Sequence, residues 1–449
     1  MKIKFLGAAG TVTGSSYVLT SSSGQSILID LGMFQGVPEI DKLNYLQYEY
    51  DCSTLSAAIL THAHLDHCGR LPILVPRGFK GNIWMTPATH DLTALSLLDS
   101  ARIVSEDKTK ILYDQHLAEK IITQFKTIDY RLPYEIGDFR ITMRDAGHIL
   151  GSASLEIEEI NPSSEIRRIV FSGDLGNSPE DITKETEFID VAEAVIMEST
   201  YGDRLHPNAE AADMIQAEIN TVEKLGGTLL IPAFALERSQ EILHIIMHLK
   251  ESGKVKEETP VILDSPMADK ATEIYTKYPD NFNEHILKDF HEGALFNFPG
   301  LDVTVRAAQS EAIYRHRGPK VIIAGSGMMT GGRIVHHAKR LLPLASTRLL
   351  IVGYQGEGTL GRELMEGKKE VTIEGATIQV MAKISVTQAM SSHADQNQLL
   401  KWLGHIKGVK KVFLTHGEED PRKVLANRIR KELQLQHIEL PFMNQEIVF

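Results

Sequence analysis

Cysteine is scarce in this 449-residue chain, with Cys52 and Cys68 the whole supply. Two thiols cannot staple a chain of this length, so a disulfide-built secreted scaffold is excluded and a reducing, cytoplasmic setting is expected. Long apolar runs are missing as well. The opening Met1-Lys2-Ile3-Lys4-Phe5-Leu6 gives way to Gly7-Ala8-Ala9-Gly10, short of the roughly 7–15 apolar residues of a secretory leader. No segment approaches the ~20 apolar residues of a membrane-spanning helix. Positive charge is not in excess: 47 Lys and Arg face 59 Asp and Glu, a formal charge of -12, which argues against a general nucleic-acid coat protein. The 34 glycines and 17 prolines follow no period, which removes collagen-like and linker-rich classes.

What is present is ordinary globular usage, 43% hydrophobic and 24% charged. The length suits two or three domains of about 100–200 residues each. Over the first two hundred residues the pattern is of short strands with turn punctuation, Lys2–Leu6, Ser16–Thr20, Ser26–Asp30 and Ala57–Leu60 among them. From about His206 to Gly356 the order becomes strand, loop, helix, repeated, as in Thr228–Ile231 and the helix through Leu249. That order predicts a second domain built on a parallel sheet. The expected boundaries are 1–205, an insertion at 206–360, and 361–449 completing the first domain.

The sharpest signal is Thr61-His62-Ala63-His64-Leu65-Asp66-His67, directly after an apolar strand. Side chains two apart in an extended segment point the same way, so His62 and His64 can face one ion. Asp66 and His67 fall where the chain turns into a helix and can face a neighbouring ion. Imidazole and carboxylate at this density suit zinc. Two metal shells need further donors from distant strand ends. His148, Asp174 and His416 each lie just past an apolar strand and beside glycine, where the backbone can come close to a site. Singly, each is an ordinary residue; only the assembled set makes ligands of them.

His62-Ala63-His64-Leu65-Asp66-His67, with Asp30, His148, Asp174 and His416, resembles the metallo-β-lactamase superfamily from end to end. Glu198 in Met197-Glu198-Ser199-Thr200, His393 in Ser391-Ser392-His393-Ala394-Asp395 and His416 in Thr415-His416-Gly417-Glu418 narrow the resemblance to the β-CASP ribonucleases, the group of the cleavage-and-polyadenylation endonuclease. The resemblance implies an α/β fold, a metallo-β-lactamase αββα sandwich interrupted by a parallel-sheet β-CASP domain. It implies two zinc ions, one held by His62, His64 and His148, the other by Asp66, His67 and His416, with Asp174 bridging and Asp30 orienting a ligand imidazole. Asp66, Glu198 and His393 form the implied catalytic set, with His393 protonating the leaving oxygen and Glu198 keeping it protonated. RNA is the implied substrate, no membrane partner is expected, and a homodimer is left open.

Between Glu311 and Glu357 there is no acidic residue, while Arg315, Arg317, Lys320, Arg333, Lys339, Arg340 and Arg348 are all basic. Phosphate binding needs such a stripe rather than a basic whole. Within it, Ser326-Gly327-Met328-Met329-Thr330-Gly331-Gly332-Arg333 follows a strand and precedes a helix, an arrangement that lets N–H groups and hydroxyls approach a phosphate. Ser326, Gly327, Met328, Thr330 and Arg333, with Arg238, are the expected RNA-backbone contacts. No Gly-Lys-Ser/Thr follows, so an NTPase loop is a poor fit. Two other classes stand beside the ribonuclease: a hydrolase of a small ester, thioester or lactam, and a non-catalytic scaffold.

Overall fold

A computed structural model describes residues 1–46, 50–106, 112–162, 166–177, 182–207, 211–293, 295–387 and 389–449. The chain divides into two units, Met1–Leu205 with Ser392–Phe449, and His206–Ser391.

The first unit is built on two seven-stranded sheets. One runs, in spatial order, Glu446–Val448, Lys2–Gly7, Ser16–Thr20, Ser26–Leu31, Leu55–Ile59, Asn82–Met85, Phe125–Thr127. The other runs Ile438–Glu439, Lys411–Leu414, Ala194–Met197, Arg168–Phe171, Ala153–Glu159, Phe139–Asp145, Tyr134–Ile136. Side chains alternate across each strand. Ile27, Ile29 and Ile59 therefore meet Ile157, Ile169 and Phe171 between the sheets, while Leu28 and Ala58 face the opposite way. Those outer faces are buried too. The Pro87–Glu106 and Gln115–Ile122 helices cover the first sheet, and Gln396–His405 and Glu419–Glu432 cover the second. Four layers, helix–sheet–sheet–helix, follow.

The last residues join both sheets. Lys411–Leu414 pairs parallel to Ala194–Met197, and Glu446–Val448 pairs antiparallel to the N-terminal strand. The ends of the chain thus close the sandwich, and the second unit is an insertion.

That inserted unit has a six-stranded sheet in the order Leu301–Val303, Val261–Asp264, Lys320–Ala324, Thr228–Pro232, Thr347–Ile351, Lys383–Val386. Its registered pairs are all parallel, and Thr228–Pro232 and Lys320–Ala324 are buried throughout. By packing, the inserted unit runs past the expected boundary at residue 360. Residues 361–391 belong to the insertion, because Lys383–Val386 extends the parallel sheet beside Thr347–Ile351 and the Glu370–Ile373/Ala376–Gln379 hairpin packs into the same apolar cluster. Among the described residues no helix is long and apolar enough to cross a membrane.

Candidate metal centre

The site lies where strands of the first unit end. Asp30 is in the Ser26–Leu31 strand; His62 follows Leu55–Ile59, His148 follows Phe139–Asp145, Asp174 follows Arg168–Phe171, Glu198 follows Ala194–Met197 and His416 follows Lys411–Leu414. Tight turns bring these side chains inward. Gly147 and Gly173 sit at φ +65° and +58°, and a Cβ at either would come within 2.8 Å of neighbouring backbone, Thr186 N and Ala153 O. Glycine is required at both. Asp30 and His416 hold positive φ with side chains attached, backbone strain of the kind concentrated at functional sites.

The donor atoms converge as two groups, His62, His64, His148 and Asp174, and Asp66, His67 and His416. His64 Nδ1 is 3.2 Å from His62 Nε2 and 3.1 Å from His148 Nε2. Asp66 Oδ2 is 3.4 Å from His416 Nε2. Asp174 stands between the groups: its Oδ2 is 3.5 Å from His62 and 3.3 Å from His67, and its Oδ1 is 3.6 Å from His416.

Three of the imidazoles are oriented from behind. Asp30 Oδ2 accepts from His67 Nδ1 at 2.8 Å and from the Thr61 hydroxyl at 2.8 Å, while its Oδ1 accepts from Thr61 N. His148 Nδ1 donates to the Ser392 carbonyl at 2.9 Å, which leaves Nε2 for the centre. Thr200 Oγ1 lies 3.1 Å from His416 Nδ1. Thr61, Thr200 and the Ser392 carbonyl were not identified from the sequence. No residue pattern marks a hydroxyl or carbonyl that acts only through a neighbour's ring nitrogen. Cys68 is buried outside both groups, its thiol donating to the Ala63 carbonyl.

The charges suit a cation. Burial pushes His62 and His148 well below the ordinary imidazole range and His64 to about 4, so these rings are neutral and carry free lone pairs. Burial works against the carboxylates, but the imidazoles around them prevail, holding Asp174 well below its usual value and Asp66 at about 2. Asp174 Oδ1 is buried without a hydrogen-bond donor, and a buried carboxylate oxygen without a donor costs free energy that a metal ion removes. Nitrogen and carboxylate oxygen donors together match zinc.

His393 reaches this centre because its segment runs along Asp174–Asn177: Ala394 N donates to Leu175 O, and Gly176 bridges to His393. Its Nδ1 lies 3.1 and 3.2 Å from the two oxygens of Glu198 and 3.9 Å from Asp174 Oδ2. Glu198 is buried and also accepts from Leu175 N at 2.6 Å. Burial disfavours the charged His393 ring, but the Glu198 carboxylate and its hydrogen bond outweigh that and lift His393 to about 9.

The residues expected to bind phosphate lie in the inserted unit and divide. Arg238 is buried against Glu241, and Arg333 donates to Asp264 and to the Thr304 and Val305 carbonyls. Both engage internal acidic partners, Arg238 buried and Arg333 half-buried, which leaves fewer of their donors for an RNA backbone. The stripe is also partly neutralised, Arg348 by Glu218 at 2.6 Å, Arg340 by Glu311 at 2.8 Å and Lys339 by Glu374 at 2.9 Å. Arg315, His316 and Arg317 remain exposed. The turn is built as a close approach: Thr330 N donates to Ser326 Oγ at 3.0 Å, and a Cβ on Gly327 would lie 2.6 Å from the Phe234 ring. Met328 is half-buried and Thr330 exposed.

Residues 9–207 match the family model of the metallo-beta-lactamase superfamily, 239–364 that of the Beta-Casp domain, and 377–441 that of the Zn-dependent metallo-hydrolase RNA specificity domain. A Thermus thermophilus protein named ribonuclease TTHA0252 is 36% identical over 430 residues, 95% of either chain. Proteins named transcription termination factor FttA are also similar. The one from Methanosarcina mazei is 31% identical over 97% of this chain and 70% of its own, and the one from Thermococcus kodakarensis 32% over 93% and 67%. With these relatives matched along nearly its whole length, the chain belongs to the β-CASP family of the metallo-β-lactamase superfamily.

Proposed function

We propose that the chain is a metal-dependent ribonuclease of the cytoplasm, cutting RNA phosphodiesters internally. The His393–Glu198 pair beside the convergent ligands carries this reading. The relatives' names, ribonuclease and transcription termination factor, agree with it. In the proposal His62, His64 and His148 would hold one zinc ion and Asp66, His67 and His416 a second, with Asp174 as a donor available to either. Such ions, when bound, acidify water and stabilise charge on phosphoryl oxygens.

The chain's own residues supply the rest. Asp30 keeps the proton of His67 on Nδ1, so that Nε2 faces the centre. Glu198 occupies Nδ1 of His393 and holds the ring protonated at neutral pH. Nε2 of His393 then gives its proton to the departing 3′ oxygen as a water oxygen bonds to phosphorus and the P–O3′ bond breaks, leaving a 3′-hydroxyl and a 5′-phosphate. The Ser326–Thr330 turn, with Gly327 and Met328, and the exposed Arg315–Arg317 segment are proposed to hold the RNA backbone.

Incubating zinc-loaded protein with 5′-labelled and internally labelled RNA, with DNA and with a lactam tests the reading. Cleavage of RNA alone, with 5′-phosphate ends, is expected. Turnover of the lactam without RNA cleavage assigns the site to small substrates, and no turnover of any substrate makes the chain a scaffold.

A further inference from the structure

The inserted unit carries a second convergence of ligand atoms. His244 and His248 lie one turn apart on the Arg238–Glu251 helix, on one face. Asp289 comes from the Glu284–His291 helix, which Asn283 caps and Phe282 and Ile286 anchor in the core. Asp289 Oδ2 is 2.8 Å from His244 Nε2 and 2.9 Å from His248 Nε2, and the two nitrogens are themselves 2.9 Å apart. His244 is buried, and His248 keeps 48% of its side chain exposed.

Protons alone account poorly for this triangle. Three mutual contacts of that length cannot all be linear hydrogen bonds, and two N–H groups aimed at one oxygen would set their hydrogens roughly 1.9 Å apart. The far side of His248 sharpens the point. Its Nδ1 lies 3.1 Å from Glu251 Oε2, and a proton held there leaves the Nε2 lone pair facing the Asp289 carboxylate. That contact is repulsive unless His248 is an imidazolium or a cation sits between the two groups. A carboxylate behind one ring nitrogen with the other turned to a shared centre is the usual support of a metal-ligating histidine.

We propose that His244, His248 and Asp289 form a metal site in the inserted unit, taking a first-row divalent ion such as zinc. Two imidazole nitrogens and one carboxylate oxygen match that class of ion, and the exposed side of His248 leaves room for water to complete the shell. The ion ties the Glu284–His291 helix to the Arg238–Glu251 helix. The cluster holds no nucleophile, so its role is to pin these two elements together.

The test compares full-length wild type with His248→Gln and Asp289→Asn. Each is brought to equilibrium dialysis at micromolar free zinc, and bound zinc per chain is counted by mass spectrometry. The same pair of changes is repeated in a His62→Ala/Asp174→Asn background, which disables the main centre and separates the two sites. One zinc fewer per chain is expected in each variant, in both backgrounds, with RNA cleavage by His248→Gln equal to wild type. Equal zinc in wild type and both variants overturns the proposal and leaves His248 as an imidazolium between two carboxylates.

Discussion

Replacing Glu198 by Gln keeps the shape of the His393 contact and removes its charge. In the native chain both Glu198 oxygens lie within 3.2 Å of His393 Nδ1, and the ring titrates at about 9 although burial opposes its charge. Without the carboxylate, burial is the leading influence and the ring falls to the ordinary value of about 6.5 or below. Protonated His393 is the form that donates, so activity is held below the pKa and lost above it. At pH 8 roughly nine-tenths of the native rings carry the proton, against about 3% for a variant ring at about 6.5, a loss of about 30-fold; at pH 6 about three-quarters of the same variant rings are protonated and the loss shrinks to about 1.3-fold. Bound cations beside Asp174 pull both proteins toward acid together, which moves the profile without removing the contrast. Measuring kcat/KM on a short RNA from pH 5.5 to 9.5, at constant zinc content, reads this out. Parallel profiles separated by a constant factor would refute the reasoning, because Glu198 would then position the ring without setting its charge.

His393→Ala should leave zinc content at the native level and lower RNA cleavage by about 10²–10⁴-fold; elemental analysis beside the rate separates the two effects. Asp30→Asn places an amide against His67 Nδ1 and the Thr61 hydroxyl, where a carboxylate now accepts from both. Zinc affinity should fall about 10–100-fold in a chelator competition, and unchanged affinity would remove Asp30 from the centre. Asp145 is buried, accepts from Gly147 N at 2.9 Å, and is raised to about 7 by burial, with Glu187 adding to the shift. The native chain therefore holds a proton between about pH 4 and 7 that the unfolded chain releases, so stability falls as pH rises through that window. Asp145→Asn should stabilise metal-free protein by roughly 1–4 kcal/mol in urea at pH 8 and by little at pH 4.

Much of the first unit was legible because its sheets are buried on both faces and its strands are punctuated by glycine. The His62–His67 cluster was legible for a different reason. Four ligand-type side chains in six positions after an apolar strand have few other uses, whereas His148, Asp174 and His416 gain meaning only from one another. The packing of residues 361–391 was not legible, because alternation tells that Glu370–Lys383 is strand-like without telling which sheet it joins. Lys383–Val386 settles the matter through its backbone pairing to Thr347–Ile351, a contact with no signature in composition.

The two arginines show the same principle in charge. Arg333 stands at the head of a helix after a glycine-rich turn, where a phosphate contact is a reasonable reading of a bare sequence. Asp264, its partner, lies 69 positions earlier at the end of a buried strand, where His337 and Ser310 also reach it. A buried carboxylate demands donors, and it takes them from whichever cations the fold brings near. Arg238 meets Glu241 in the same way, one helical turn along. A run of basic residues therefore states how many cations a segment has; which of them face solvent is decided by acids elsewhere in the fold. Within the basic stripe that leaves Arg315 and Arg317, exposed on a short connection after the Ala307–Ala312 helix, as the arginines to weigh first for RNA contact.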